Sequence, residues 1–462
     1  MLFSSTPKPK GLNIIIVGIG KVGTTLIDQL SKEGHDITIV DKDHNKVQTM
    51  AGLYDIMGLT GNGASFSVLL EAGIDNADLV IAVTDSDELN LLCCTVAKRV
   101  SKCAAIARVR TPEYSEEASY LREKLGLAMI INPELETAIE TARILYLPTA
   151  LEVNTFAHGQ AELIKFQIPK DSTLNGMTIS ELNKQVSIAF IVCAIERNGE
   201  VIIPTGNFIL SEGDFVSFVS TRSNAREFLK KTGFNTRQVK DTMIIGGGKF
   251  AYYLAKNLLN VGVSVKIIEK NKERCEELSI LLPKAIIING DGADEELLKE
   301  EGIDYAESFV PLTGIDEENV MLTLHAKQIS KAKVITKINR ITFKNVINSL
   351  DLGSVVYPRM ITSEAIIKYV RAKSNSRGNN IETLYHMFDS RVEAIEFTVQ
   401  ENSKVADIPI MDLELKNNLL LCFINRKGKI IITNGQDKIK AHDTVMIVTT
   451  HTGFNDIDDI LK

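Results

Sequence analysis

The chain of 462 residues repeats itself once along its length, and that repeat limits its possible folds more than any single motif. "NIIIVGIGKVG" at residues 13–23 returns as "TMIIGGGKFA" at residues 242–251. Gly18 and Asp41 have counterparts 228 positions on, in Gly246 and Glu269. At an offset of 229, Gly61-Asn62-Gly63-Ala64 returns as Gly290-Asp291-Gly292-Ala293, and Asp87, Glu88 and Asn90 return as Asp316, Glu317 and Asn319. Arg110 aligns with Arg340 at 230, and Arg197, Gly199 and Asp214 align with Arg426, Gly428 and Asp443 at 229. An offset this steady through strands, helices and loops implies duplication of a whole unit, and its length excludes a solenoid.

Within each half, short apolar runs such as "NIIIV", "DITIV", "DLVIAV" and "AAIARV" alternate with helical stretches. That alternation predicts βαβ units and a parallel sheet buried on both faces. After Pro148 the character changes to alternating strands, with "FIVCAIE" and "EVIIP" joined through Asn198-Gly199 and the same design repeated around Lys427-Gly428. Asn-Gly between apolar runs marks a hairpin, because both residues tolerate positive φ. The expected fold class is therefore α/β: two Rossmann-like doubly wound parallel sheets, each followed by a small α+β domain. The expected boundaries are a flexible arm over 1–10, Rossmann-like domains over 11–148 and 240–372, and small domains over 149–235 and 373–462.

Gly18, Gly20 and Gly23 form G-x-G-x-x-G between an apolar strand and a helix. The first glycine permits the tight turn, the second lets the backbone approach a pyrophosphate, and the third lets helix and strand pack closely. Asp41 ends the next strand, 18 residues beyond Gly23, where its carboxylate can accept ribose hydroxyls. The second half keeps the pattern as Gly246-x-Gly248-x-x-Ala251 with Glu269; alanine serves at the third position because only small size is required there. A carboxylate that accepts a ribose diol repels a 2′-phosphate, which favours NAD(H) over NADP(H). The same groove suits ADP or ATP, so these residues specify an adenosine diphosphate moiety.

A net charge of -7 argues against a nucleic-acid partner and against adsorption to an anionic membrane by charge alone. The apolar run at residues 186–195 is half the roughly 20 residues needed to span a bilayer. "MLFSSTPKPK" has no apolar core of a secretory signal. The six scattered cysteines lack C-x-x-C spacing, as buried thiols of a reducing compartment do, and Cys93-Cys94 reads as core packing. None of the seven histidines makes a zinc pattern.

The series "IIIVGIGKVGTTLIDQL…DITIVD…GNGA…AVTDSDELN…ARVR", repeated as "MIIGGGKFAYYLAKNL…SVKIIEK…GDGA…PLTGIDEEN…TKINR", resembles the regulatory proteins of Trk-type potassium uptake, which are built of tandem RCK (or KTN) domains. The resemblance covers nearly the whole chain. It implies a cytoplasmic protein, peripheral at the inner face of the membrane, that controls a Trk-type potassium channel or transporter in response to NAD(H), ADP or ATP. It also implies four chains forming a ring of eight nucleotide-binding domains. The phosphate loops then fall on Gly18, Ile19, Gly20, Lys21, Val22 and Gly23 and on Gly246, Gly248, Lys249, Phe250 and Ala251, with Asp41 and Glu269 as ribose acids. Further ligand contacts fall on Asn62 and Asp291, Thr84 and Thr313, and Arg110 and Arg340. Asn62 departs from the family's Gly-Asp-Gly turn, and Pro311 stands where the family favours a small apolar residue.

Two rival classes are open to such residues. An NAD-dependent oxidoreductase needs a substrate domain that presents an acid or base to the nicotinamide, and no such constellation is identifiable after either Rossmann-like half. An interaction module would bind a small ligand, or dimerise, through the small domains.

Overall fold

The computed structural model describes residues 11–234, 237–339, 344–375, 380–388 and 391–462. The arm expected over residues 1–10 lies outside the described residues. The chain divides into two compact units, one holding both Rossmann-like sheets (residues 1–139 and 241–370) and one holding both small domains (residues 140–240 and 371–462).

In the first unit, the strands Asn13–Val17, Asp36–Asp41, Met57–Thr60, Leu79–Ala82, Ala104–Arg108 and Met129–Ile131 form a parallel sheet in the order 3-2-1-4-5-6. Asp241–Ile245, Ser264–Glu269, Ile286–Asn289, Ser308–Pro311, Lys333–Lys337 and Ser354–Val356 repeat that order. The sheet alternation is visible in its two cores. Ile14 and Ile16 join one apolar cluster with Leu26, Ile27 and Ile39, while Ile15 and Val17 join the other with Val40, Cys93 and Cys94. Successive side chains of a strand point to opposite faces, so a sheet covered on both sides needs uninterrupted apolar runs. The helix Lys21–Lys32 buries Val22, Leu26, Ile27 and Leu30, one face at helical spacing.

One packing partner is absent from the repeat's spacing. Ile366, Ile367 and Val370 of the helix Pro358–Asn375 complete the core of the first copy, more than 200 positions earlier in the chain. Pro311, at the end of its strand, leaves the ladder unbroken: Leu312 N donates to Ile245 O at 2.7 Å.

The second unit contains two antiparallel five-stranded sheets of matching order. Glu200–Ile202, Phe190–Arg197, Phe215–Thr221, Ala161–Gln167 and Glu152–Phe156 make one, and Lys429–Ile432, Leu419–Arg426, Thr444–Thr449, Val392–Thr398 and Ile381–Met387 the other. The repeated Arg and Asp have a structural reason. Arg197 grips the buried Asp214 through Nε and Nη2, both at 2.7 Å, and Arg426 grips Asp443 at 2.9 and 2.7 Å. Cys193 and Cys422, also 229 positions apart, share one core cluster drawn from both small domains, and burial pushes the Cys422 thiol far up.

Candidate functional site

Each glycine loop follows the first strand of its sheet, where the strand order reverses and a crevice opens beyond the carboxyl ends of the strands. Gly18 turns with φ +101°, and a Cβ there would stand 2.8 Å from Thr84 N on the fourth strand's exit. A Cβ on Gly23 would stand 2.0 Å from Gly18 O, so helix and turn meet without room for a side chain. Gly20 is the opposite case: a Cβ there would meet nothing within 4 Å. Gly20 is the N-cap of the helix Lys21–Lys32, so open space lies at that helix's N-terminus, where a pyrophosphate cradle needs it. Lys21 is exposed and Val22 buried in the helix's first turn.

Asp41 stands beside this loop. Its Oδ2 accepts Ile19 N at 2.6 Å and its Oδ1 accepts Asp43 N at 2.9 Å, which ties the second strand's end to the loop and leaves further lone pairs for a ribose. The second copy reproduces the arrangement. Gly246 has φ +94°, Gly248 has open space above it, Glu269 Oε2 accepts Gly247 N at 2.6 Å, and Ala251 and Phe250 are buried. Lys249 leads the helix Lys249–Asn260.

The fourth strand's exit is held by an asparagine that the spacing showed as a repeat but not as a site residue. Asn90 Oδ1 accepts Thr84 N at 2.8 Å and Thr84 Oγ1 at 2.7 Å, and its Nδ2 donates to Arg108 O at 2.9 Å. Asn319 does the same for Thr313 N and Oγ1, both at 2.9 Å, and donates to Lys337 O at 3.1 Å. These networks bring Arg108 and Lys337 to the crevice. Arg108 Nη2 donates to Thr84 O, and Lys337 Nζ donates to Thr313 O at 2.8 Å.

Asn62 and Asp291 each close a turn by accepting an amide two residues on, at 3.0 Å. Only Asp291 adds an ion pair, to Lys270 at 2.6 Å, and that lysine holds its carboxyl below the usual range. Arg110 sits at the fifth strand's exit: its amide donates to Asp87 Oδ2 at 2.9 Å, its Nη2 to Asp85 O at 2.9 Å, and its guanidinium lies 3.9 Å from Glu134. Arg340 lies outside the described residues. The residue in the place of Arg110 is Asn339, whose amide donates to Asp316 Oδ1 at 2.9 Å, so the two copies align here at 229 and not 230. Sequence spacing leaves a one-residue choice that the shared aspartate bond removes.

The two copies also meet at this edge. Lys249 Nζ donates to Thr111 Oγ1 at 3.1 Å, Tyr253 OH donates to Arg110 O at 3.2 Å, and Asn132 Nδ2 donates to Tyr253 OH at 2.9 Å. Burial pushes Glu134 up, against the nearby charges of Arg110, Arg108 and Lys249. Burial also pushes Asp87 up, but bonds from Thr111 and Arg110 and the charge of Lys249 hold it below the usual range overall. Burial pulls Lys337 down, opposed by Asp316 and Glu134. Glu134 thus lies among the cations of both copies. No helix among the described residues is long and apolar enough to cross a membrane, and no group of three or more metal-ligating side chains is found there.

A family model described as the TrkA-N domain matches residues 14–133 and 242–358, and one described as the TrkA-C domain matches 163–233 and 394–462. The chain is 32% identical to the Trk system potassium uptake protein TrkA of Haemophilus influenzae over 94% of this chain and 95% of that protein. It is 31% identical to a TrkA homolog of Archaeoglobus fulgidus over 98% and 100%, and 31% identical to TrkA of Vibrio alginolyticus over 98% and 99%. Among solved structures, a GsuK channel bound to NAD aligns with a TM-score of 0.62 at 17% identity, over 96% of this chain and 78% of that one. The GsuK RCK domain aligns at 0.61 and 18%, over 96% and 93%. The fold is thus that of tandem RCK domains. These relatives are named for potassium uptake and a channel, not for a catalysed reaction. Matched by its domain models through both halves and by relatives along almost its whole length, the chain belongs to the family of Trk system potassium uptake protein TrkA.

Proposed function

We propose that this chain is a nucleotide-responsive regulatory subunit of a Trk-type potassium-uptake system, taking NAD(H), ADP or ATP at both glycine loops. The observation that carries this reading is the paired cradle: open space at Gly20 and Gly248, each the N-cap of a helix, and Asp41 and Glu269 fastened to the loop beside it. The NAD named with one GsuK structure and the ADP named with another support the ligand class. Four chains in a ring at the inner face of the membrane would place these loops under a membrane potassium channel or transporter. The loop residues orient the phosphates, and the strand-end acids hold the ribose. A ligand biases two conformations only by its difference in affinity between them; a tenfold preference is about 1.4 kcal/mol per site, and several sites in one assembly add.

Calorimetric titration with NAD, NADH, NADP, ADP and ATP tests the binding half of this reading. Potassium flux through the reconstituted membrane partner, with and without the chain and across the same nucleotides, tests the regulatory half. Two molar equivalents of adenine nucleotide and a nucleotide-dependent flux are expected. Flux indifferent to chain and nucleotide would remove the regulatory role, and steady NADH consumption with a small substrate would favour the oxidoreductase reading.

A further inference from the structure

At matching structural positions around the two loops, charge is not conserved. The fifth strand ends on a cation in both copies, Arg108 and Lys337. Beyond it the copies diverge. Arg110 is replaced by Asn339, the two being matched by their amide bonds to Asp87 and Asp316. After Thr84 comes Asp85, 3.3 Å from Arg108; after Thr313 comes Gly314, with no charge. The helices that follow the sixth strands both open on proline, and their second residues are Glu134 in the first copy and Arg359 in the second.

The loop lysines act across the copies. Lys249 lies by Asp87 and Glu134, and Lys21 lies by Lys337. Around the first loop three cations, Arg108, Arg110 and Lys249, face three carboxylates, Asp85, Asp87 and Glu134. Around the second, Lys337, Arg359 and Lys21 face Asp316 and a share of Glu134. Two features are common to both loops. Asp87 and Asp316 are each occupied by bonds from the fifth strand's exit. Buried guanidinium Nε atoms lack a hydrogen-bond partner among the described residues, Arg108 and Arg110 in the first copy and Arg359 in the second, so the contrast between the loops is one of net charge. A buried guanidinium N–H without an acceptor is unfavourable, and phosphate oxygens match its geometry.

We propose that the second loop is built for a more highly charged phosphate chain than the first: a nucleoside triphosphate at residues 246–251, a diphosphate or dinucleotide at residues 18–23, with Arg359 as the specificity-determining residue. The inference rests on the nucleotide-binding reading above. A third phosphate adds negative charge. The balanced carboxylates of the first loop oppose it, whereas the cation surplus at the second welcomes it.

The test compares ATP with ADP in calorimetric titrations of the full chain carrying Gly20→Val, which leaves the second loop, or Gly248→Val, which leaves the first. Both glycines have negative φ and open space where a Cβ would go, so the fold should tolerate either change. The ATP-over-ADP affinity ratio is expected to be at least about tenfold larger at the second loop. Arg359→Glu should erase that difference, Arg359→Lys should retain most of it, and Glu134→Arg should raise the ratio at the first loop. Melting curves of each variant report folding independently. Equal ratios at the two loops, or a ratio unmoved by Arg359→Glu in a folded chain, would overturn this inference while leaving nucleotide binding intact; a wild-type chain that binds neither nucleotide would overturn both.

Discussion

The first glycine loop closes on Gly23 and the second on Ala251, and the surrounding distances show what that exchange requires. In the first copy a Cβ on Gly18 would come within 2.8 Å of the neighbouring strand's exit, and one on Gly23 within 2.0 Å of Gly18 O. In the second, a Cβ on Gly246 would stay 3.2 Å from that exit, and a real methyl on Ala251 is fully buried. The second loop is set a few tenths of an ångström more openly. The third position of the motif is therefore a matter of packing distance, whereas the second, open in both copies, belongs to the ligand. The same contrast holds for charge: Asp87 and Asp316 brace both strand ends, while Glu134 and Arg359 have opposite sign in matching places.

The largest effect separating the copies should come from the strand-end acids. Asp41→Ala removes a charged acceptor from the first loop's amide and from a ribose, about 1.5–3 kcal/mol for such bonds, so adenine-nucleotide affinity at the first loop should fall roughly tenfold or more. Glu269→Ala should do the same at the second loop only. Titration showing that either variant weakens both loops equally would break the assignment of each acid to its own loop.

Next in size is the third motif position. Gly23→Ala forces a methyl against Gly18 O and should destabilise the chain by about 1–3 kcal/mol, as overpacking does. Ala251→Gly instead loosens a helix end at about 1 kcal/mol or less. Urea denaturation that ranks them in the reverse order would show that the two loops differ for another reason.

A smaller effect concerns Glu134, whose carboxyl is raised by burial above its unfolded value. A carboxylate shifted upward contributes stability below its unfolded pKa and loses it as pH rises through the folded one. Glu134→Gln should consequently raise the melting temperature at pH 7, and the gain should vanish near about pH 4, where the unfolded carboxyl is itself protonated. A gain that persists at low pH would assign the effect to packing.

The smallest effect is expected at the Lys270–Asp291 pair, which the first copy lacks at Asn62. Lys270 is 77% exposed, and exposed pairs contribute little. Lys270→Ala should leave the unfolding midpoint unchanged, whereas a clear loss would mean that the pair braces the second loop.

Local geometry was readable where a residue's own backbone preference carries it. Asn198 and Gly199 take φ of +53° and +81°, and Lys427 and Gly428 take +52° and +82°, the positive values that a tight hairpin turn demands. The glycine loops were readable for the same reason, since Gly18 and Gly246 adopt a φ that other residues avoid. The placement of Arg108, Lys337, Glu134 and Arg359 is not legible in the sequence, because a charged residue at a strand or helix end carries no mark of what faces it. The nearest signal was the steady offset of Asn90 and Asn319, which tie Arg108 and Lys337 to the fourth strands.

The sequence by itself determined the duplication, the alternation of strand and helix, and the two phosphate turns, because spacing, apolar periodicity and glycine's backbone freedom act over a few neighbouring residues. Tertiary structure alone decided that Asn339 takes the place of Arg110, that Ile366 and Val370 finish the first copy's core, and that Lys249 reaches Thr111 from 138 positions away. Those are contacts between segments far apart in the chain, selected by which surfaces bury well against each other, and no local pattern encodes that choice.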